Sequence, residues 1–194
     1  ACSLNPILFR FLFDCVPFGA KAEGLRNLRK VLSKLKQFDP VLVGTIPINI
    51  DIENSDLDII AVSRTDKSFK SQSQTILVTK KALQSESNEV QTHGLLLQFL
   101  LDGFEIEIFG QSIPTRQQFA YRHLIVEHNL LNRHGEKFRQ RIIELKRQGW
   151  KTEPAFASAL GLTGDPYTEL LKFETNDSEM NTKTDITGTI ITIK

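Results

Sequence analysis

The sequence predicts an α+β fold: a short mixed β-sheet flanked by helices, with a helical C-terminal segment. Three observations carry this. Apolar residues recur at helical spacing near residues 22–36, whereas residues 56–62 alternate with period two. Two further apolar runs, 95–101 and 104–109, are hinged at Asp102-Gly103. Beyond Pro114 the period returns to helical and stays so until about residue 160.

In chain order, Leu25, Leu28, Val31, Leu32 and Leu35 mark the first helix, opposite a basic face of Arg26, Arg29, Lys30, Lys34 and Lys36. That face reads as solvated surface. Asp39-Pro40 ends the helix, because proline disfavours helical geometry at the residue before it. Residues 41–43 then read as a short buried strand running into Gly44-Thr45. The strand over 56–62 comes next, and polar residues 63–75 read as a loop or frayed helix. Residues 75–79 fit a strand, while 80–89 suit no single element. The Asp-Gly hairpin succeeds them. Phe119, His123, Val126 and Leu130 mark a helix ending near Gly135, and Phe138, Ile142 and Leu145 mark another ending at Gly149. A short helix over 155–160 and the Gly164-Asp165-Pro166-Tyr167 turn close the ordered part. The expected division is an unassigned apolar segment (1–20), a core (21–112), a helical part of the same domain (113–172) and a disordered Thr-rich tail (173–194). A stray strand near 189–193 is the one ordered element expected in that tail.

The chain has 194 residues, 24 Lys and Arg against 23 Asp and Glu, and 40% hydrophobic residues. That composition is globular and excludes wholesale disorder. It also gives no global basic field of the kind that marks a nucleic-acid binder. Cys2 and Cys15 lack a CxxC spacing, and the reading is a reduced, cytoplasmic protein. No stretch reaches the ~18 apolar residues of a membrane helix, so no membrane partner is expected. The apolar start carries no basic leader, which makes a signal peptide a poor fit, and without an initiating Met the true start is expected upstream.

The chemistry concentrates in residues 42–60. A strand delivers Gly44-Thr45 to a turn, ten residues intervene, and Ser55-Asp56-Leu57-Asp58 opens the next strand. Strand alternation puts Asp56 and Asp58 on one face while Leu57 and Ile59 enter the core. Two carboxylates ~4 Å apart at an effective dielectric of ~20 repel by about 4 kcal/mol, so a cation must offset them or water must solvate both. Oxygen-only donors select a hard ion, Mg²⁺ first. Glu105 and Glu107 share a face of the later strand and could complete a cup of acids. Each feature has a bland counterpart: a solvated strand edge for the acids and an ordinary turn for Gly44. Their conjunction is what points to a site.

That conjunction resembles the polymerase-beta-like nucleotidyltransferase superfamily, whose signature is a Gly-Ser or Gly-Gly turn, about a dozen residues, and Asp-x-Asp or Asp-x-Glu. Within it the chain is most similar to a largely bacterial family, domain of unknown function 4269. The shared stretches are GTIPINIDIENSDLDII, FEIEIFGQ, AYRHLIVEH and KTEPAFASALGLTGDPY, spanning about residues 24–172. The resemblance implies a nucleotidyltransferase-like fold. It also implies two Mg²⁺ ions bound by Asp56, Asp58 and a third acid, with Glu107 preferred over Glu105. Gly44, Thr45 (in place of the usual Ser) and Ser55 would hold the nucleoside triphosphate, and Lys151 is a candidate contact for the triphosphate or the acceptor.

The implied activity is transfer of a nucleoside monophosphate to a hydroxyl acceptor with pyrophosphate leaving. A small-molecule acceptor is favoured over RNA or protein, since no long basic and aromatic stripe is visible. The alternative is a catalytically inactive module that keeps the fold to bind a nucleotide or a protein. Among other polar residues, His123, Glu127 and His128 lie within one and a half helical turns, a spacing that could bind a metal, but His123 on the apolar stripe reads as a satisfied core histidine instead. Arg122 reads as a surface ion pair and Tyr167 as a packing anchor.

Overall fold

The computed structural model describes residues 28, 30–53, 55–63, 85–90, 94–101, 104–174, 182–184 and 190–192. A five-stranded mixed sheet forms the centre, built from β1 (Val41–Val43), β2 (Leu57–Val62), β3 (Ser85–Val90), β4 (Gly94–Leu101) and β5 (Phe104–Gln111). Their spatial order is β1-β2-β5-β4-β3. Four helices come after the sheet: α1 (Phe119–His134), α2 (Glu136–Arg147), α3 (Thr152–Leu160) and α4 (Pro166–Leu171). Strands β6 (Thr182–Thr184) and β7 (Ile190–Thr192) pair antiparallel in a separate two-stranded sheet.

Strand register decides which side chains become neighbours. β4 and β5 pair antiparallel with Leu101 opposite Phe104, so two residues link them; the Asp102-Gly103 turn itself lies outside the described residues. β2 runs parallel to β5, and Asp58 faces Glu107 across that pair. β1 lies antiparallel on the far side of β2, with Val43 opposite Asp58. The strand end of Gly44, Asp58 and Glu107 are therefore neighbours on three adjacent strands.

The sheet separates two cores. Leu57, Ile59 and Ala61 face one side with Leu97, Ile106 and Ile108, under the helical residues 28 and 30–34, which contribute Leu28 and Val31. Val43 and Ile60 face the other, where α1 to α4 bring Leu124, Ile142, Phe156 and Leu170. Strand alternation puts Asp58 on this second, helix-covered side.

The described elements match the expected order, with differences that have physical causes. β2 begins at Leu57 rather than Asp56. The turn expected at Gly164-Asp165-Pro166-Tyr167 runs on into α4: Pro166 occupies its first turn, and the Asp165 carboxylate accepts from the Thr168 amide at 3.0 Å. Phe119, expected on the apolar stripe of α1, is 66% exposed and packs under the Arg122 guanidinium at 5.4 Å. Residues 85–90, whose pattern suits no single element, form β3. The expected strand at 75–79, the segment 1–20 and both cysteines lie outside the described residues.

Gln118 ties the sheet to the helical layer. Its buried amide donates to the Ala61 carbonyl at 3.1 Å and to the Ile113 carbonyl at 2.8 Å. Phe156 is fully buried and meets the Phe138 ring edge-on at 5.7 Å. Phe156→Ala is expected to cost about 3–5 kcal/mol, read as a lower urea midpoint at unchanged slope.

Candidate active site

Three carboxylates converge where the sheet meets the helices. Asp56, Asp58 and Glu107 each offer an oxygen, and these oxygens all lie within 4.8 Å of one another. Asp56 comes from the end of the loop before β2, Asp58 from β2, and Glu107 from the parallel β5. The Gln98 side-chain amide on β4 donates to Oε1 of Glu107 and orients that carboxylate. The cluster opens on a cleft of about 470 Å³.

Gly44 borders the same cleft with φ +77°, a left-handed conformation that favours glycine. A Cβ there would run into Oδ2 of Asp58, so the turn and the carboxylate need each other's shape. Thr45 and Ser55 also line the cleft. The Thr45 hydroxyl lies 3.5 Å from Ser55 Oγ, which accepts from the Ile52 amide at 2.9 Å. Helix α2 holds the intervening loop: Arg139 donates to the Ile48 carbonyl, and Arg147 pairs with Glu53 at 2.8 Å.

The electrostatics are those of crowded like charges. Burial pushes the Asp58 carboxyl up to about 7, with help from Asp56 and Glu107 and against the pull of Lys146. Lys146, itself buried on α2, lines the cleft. Burial lowers its ammonium pKa, while Glu127, Asp51, Asp56 and Asp58 raise it. Lys146 is thus the resident cation of the cleft. Three oxygen donors crowded together suit a hard divalent ion.

The sequence-predicted residues divide clearly. Gly44, Thr45, Ser55, Asp56, Asp58 and Glu107 all border the cleft. Glu105 is exposed and outside the carboxylate cluster, and Lys151 is exposed at the N-cap of α3, outside the cleft lining. His128 contacts the Asn132 amide at 2.9 Å on the surface. Arg122 pairs with Glu174 at 2.6 Å, as a surface ion pair should. Lys146, Glu127 and Glu153 also border the cleft, beyond the residues that the motif singles out. Lys146 and Glu127 occupy stripe positions, four residues after Ile142 and His123, and a charge on an apolar stripe is the signal that marks them.

Against known proteins, the family described as domain of unknown function DUF4269 matches residues 25–173. The chain belongs to that family. No curated protein matches it. Among solved structures, the DUF4269 chain is similar to the Cid1 poly(U) polymerase in a form bound to MgATP, at TM-score 0.54 and 13% identity, covering 73% of this chain and 47% of that one. It is similar to the polymerase core of the TRAMP RNA surveillance complex at TM-score 0.53 and 13% identity, covering 82% and 50%. It is also similar to a STING-associated CdnE c-di-GMP synthase from Capnocytophaga granulosa, at TM-score 0.56 and 12% identity, covering 92% and 76%. The chain spans about half the length of the two polymerases. The fold is thus nucleotidyltransferase-like, as in these solved structures. Among the described residues no helix is long and apolar enough to cross a membrane.

This geometry has two measurable consequences. Gly44→Ala should strain the backbone and displace Asp58, weakening Mg²⁺ binding by isothermal titration while the far-ultraviolet circular dichroism stays native. Asp58 binds its proton more tightly folded than unfolded, so its contribution to stability is present below pH ~4 and lost as pH rises through about 7. Asp58→Asn should therefore stabilise the fold at pH 8 without added metal, by a few kcal/mol at most, read as a higher melting temperature, and the gap should shrink toward pH 5.

Proposed function

We propose that the protein is an Mg²⁺-dependent nucleotidyltransferase that moves a nucleoside monophosphate from a nucleoside triphosphate to a hydroxyl acceptor and releases pyrophosphate. The observation that carries this is the convergence of Asp56, Asp58 and Glu107 within 4.8 Å, beside the Gly44-Thr45 turn, on one open cleft. The fold shared with the poly(U) polymerase and the c-di-GMP synthase supports it.

Asp56, Asp58 and Glu107 would hold two Mg²⁺ ions. Bound there, the ions would supply charge neutralisation and Lewis acidity at the α-phosphate. The protein's share is positioning. Gly44 lets the backbone approach the phosphates closely, and the Thr45 and Ser55 hydroxyls add donors beside them. Glu107, oriented by Gln98, is placed to accept the proton of the attacking hydroxyl. Oxygen then bonds to the α-phosphorus as the bond to pyrophosphate breaks, so atoms and charge balance. A small-molecule acceptor is favoured because the sequence lacks a long basic and aromatic stripe. The localisation that goes with this reading is cytoplasmic.

Titrating each nucleoside triphosphate with and without Mg²⁺, then assaying pyrophosphate release over an acceptor panel, tests the proposal. Mg²⁺-dependent binding should vanish in Asp56→Asn/Asp58→Asn. Glu107→Gln should lower turnover by roughly 100- to 10,000-fold with a smaller change in nucleotide affinity. Failure of the folded protein to bind any triphosphate would overturn the enzyme reading. Mg²⁺-dependent binding without turnover across the panel would favour a module that only binds nucleotide.

A further inference from the structure

The helical wall of the cleft carries a second cluster that the nucleotidyl-transfer reading does not use. His123 and Glu127 stand four residues apart on α1, hence on one face, and Glu153 lies in the first turn of α3. One ring nitrogen of His123 and one oxygen of each glutamate all lie within 4.8 Å of one another. His123 is only 6% exposed and Glu127 only 4%.

We propose that His123, Glu127 and Glu153 form a binding site for one divalent transition-metal ion, Zn²⁺ foremost, on the helical wall of the cleft. The donor set is the first argument, because an imidazole with two carboxylates suits a transition ion where an all-oxygen set suits Mg²⁺. Reach is the second. Three atoms within 4.8 Å of one another leave a central point no more than about 2.8 Å from each, and Zn²⁺ bonds of about 2.0–2.2 Å then need each side chain to close by under ~1 Å.

The third argument is an unmet valence. Nδ1 of His123 is buried with no hydrogen-bond partner, whereas a buried polar atom in a packed core normally has one. His123 is thus buried as its stripe position predicts, yet it is not the satisfied core histidine expected there. The nearby Tyr167 ring meets His123 edge-on at 6.2 Å, a packing contact and no hydrogen bond. The fourth is charge. Among the described residues, Asp56, Asp58, Glu107, Glu127 and Glu153 line the cleft against the single ammonium of Lys146. That ammonium is shared between Glu127 and the aspartates of the first cluster. Cations at the sheet cluster would leave Glu127 and Glu153 still facing each other, and a cation between these two carboxyls would offset that crowding. Three protein ligands also leave a coordination position for water or a ligand.

The site stands or falls apart from nucleotidyl transfer, and the test keeps them separate. The full chain, stripped with chelator and equilibrated with Zn²⁺, is assayed for bound metal by mass spectrometry. The background is Asp56→Asn/Asp58→Asn, which removes the first cluster. One Zn²⁺ per chain should remain there and be lost when Glu153→Gln is added. Glu153 is partly exposed, so that variant should keep the fold, checked by circular dichroism. With Co²⁺ as probe, a visible absorption band should appear in the same background and shift or vanish with His123→Gln. No retained Zn²⁺ in the double variant would overturn the proposal, as would retention undiminished by Glu153→Gln together with His123→Gln. Mg²⁺-dependent pyrophosphate release in the unsubstituted chain reads the first cluster alone, so loss of either activity leaves the other to be judged on its own.

Discussion

Holding several carboxylates together in a partly buried cleft is the constraint around which the molecule is arranged. Asp56, Asp58 and Glu107 crowd together, and burial makes the Asp58 charge harder to sustain. The chain answers in part with Lys146, whose buried ammonium is drawn on by acids from both sides of the cleft. Partial compensation is the useful state. A cleft fully neutralised by lysines would leave no electrostatic work for an incoming cation, and one with none would stay open and hydrated.

The strength of that arrangement comes from ordinary strand geometry. Period-two alternation lets β2 and β5 give Leu57, Ile59, Ile106 and Ile108 to one core while Asp58 and Glu107 face the helices. A slip of one residue would turn the carboxylates toward Leu28 and Val31 and turn Leu57, Ile59, Ile106 and Ile108 toward the cleft, so the force that pins the core also pins the site. Helix α2 completes the scheme from the other side. Arg139 and Arg147 anchor the loop between Gly44 and Asp56, and Lys146 reaches the acids from between them.

Much of this is legible in the sequence because it depends on local rules. The Asp-x-Asp spacing, the parity of Glu107 and the turn at Gly44 need only alternation and backbone sterics. The choice between Glu105 and Glu107 requires register: Asp58 faces Glu107 across the parallel pair, and Glu105 is left exposed one pleat away. Lys146 escapes for a different reason. Stripe counting looks for apolar residues at stripe positions, and Lys146 is a charge occupying such a position. Helix α4 escapes because six residues are too few for a period, although Asp165-Pro166 is an N-terminal signature in itself.

Residues that interrupt an apolar stripe therefore carry more information here than those that complete it. On α1 the buried face runs His123, Leu124, Glu127, Leu130 and Leu131, and on α2 it runs Ile142, Leu145 and Lys146. Leucine at 123, 127 or 146 would extend either core, and burying charge in its place costs stability. All three interruptions face the same cleft, opposite the sheet's own acids, while the uninterrupted stretches pack against Ile60 and Phe156. A helix layer evolved only to cover a sheet has no use for that pattern. One that also forms the second wall of an acid-lined cleft does, because polar groups held rigidly on two opposed surfaces can grip a charged ligand from both sides.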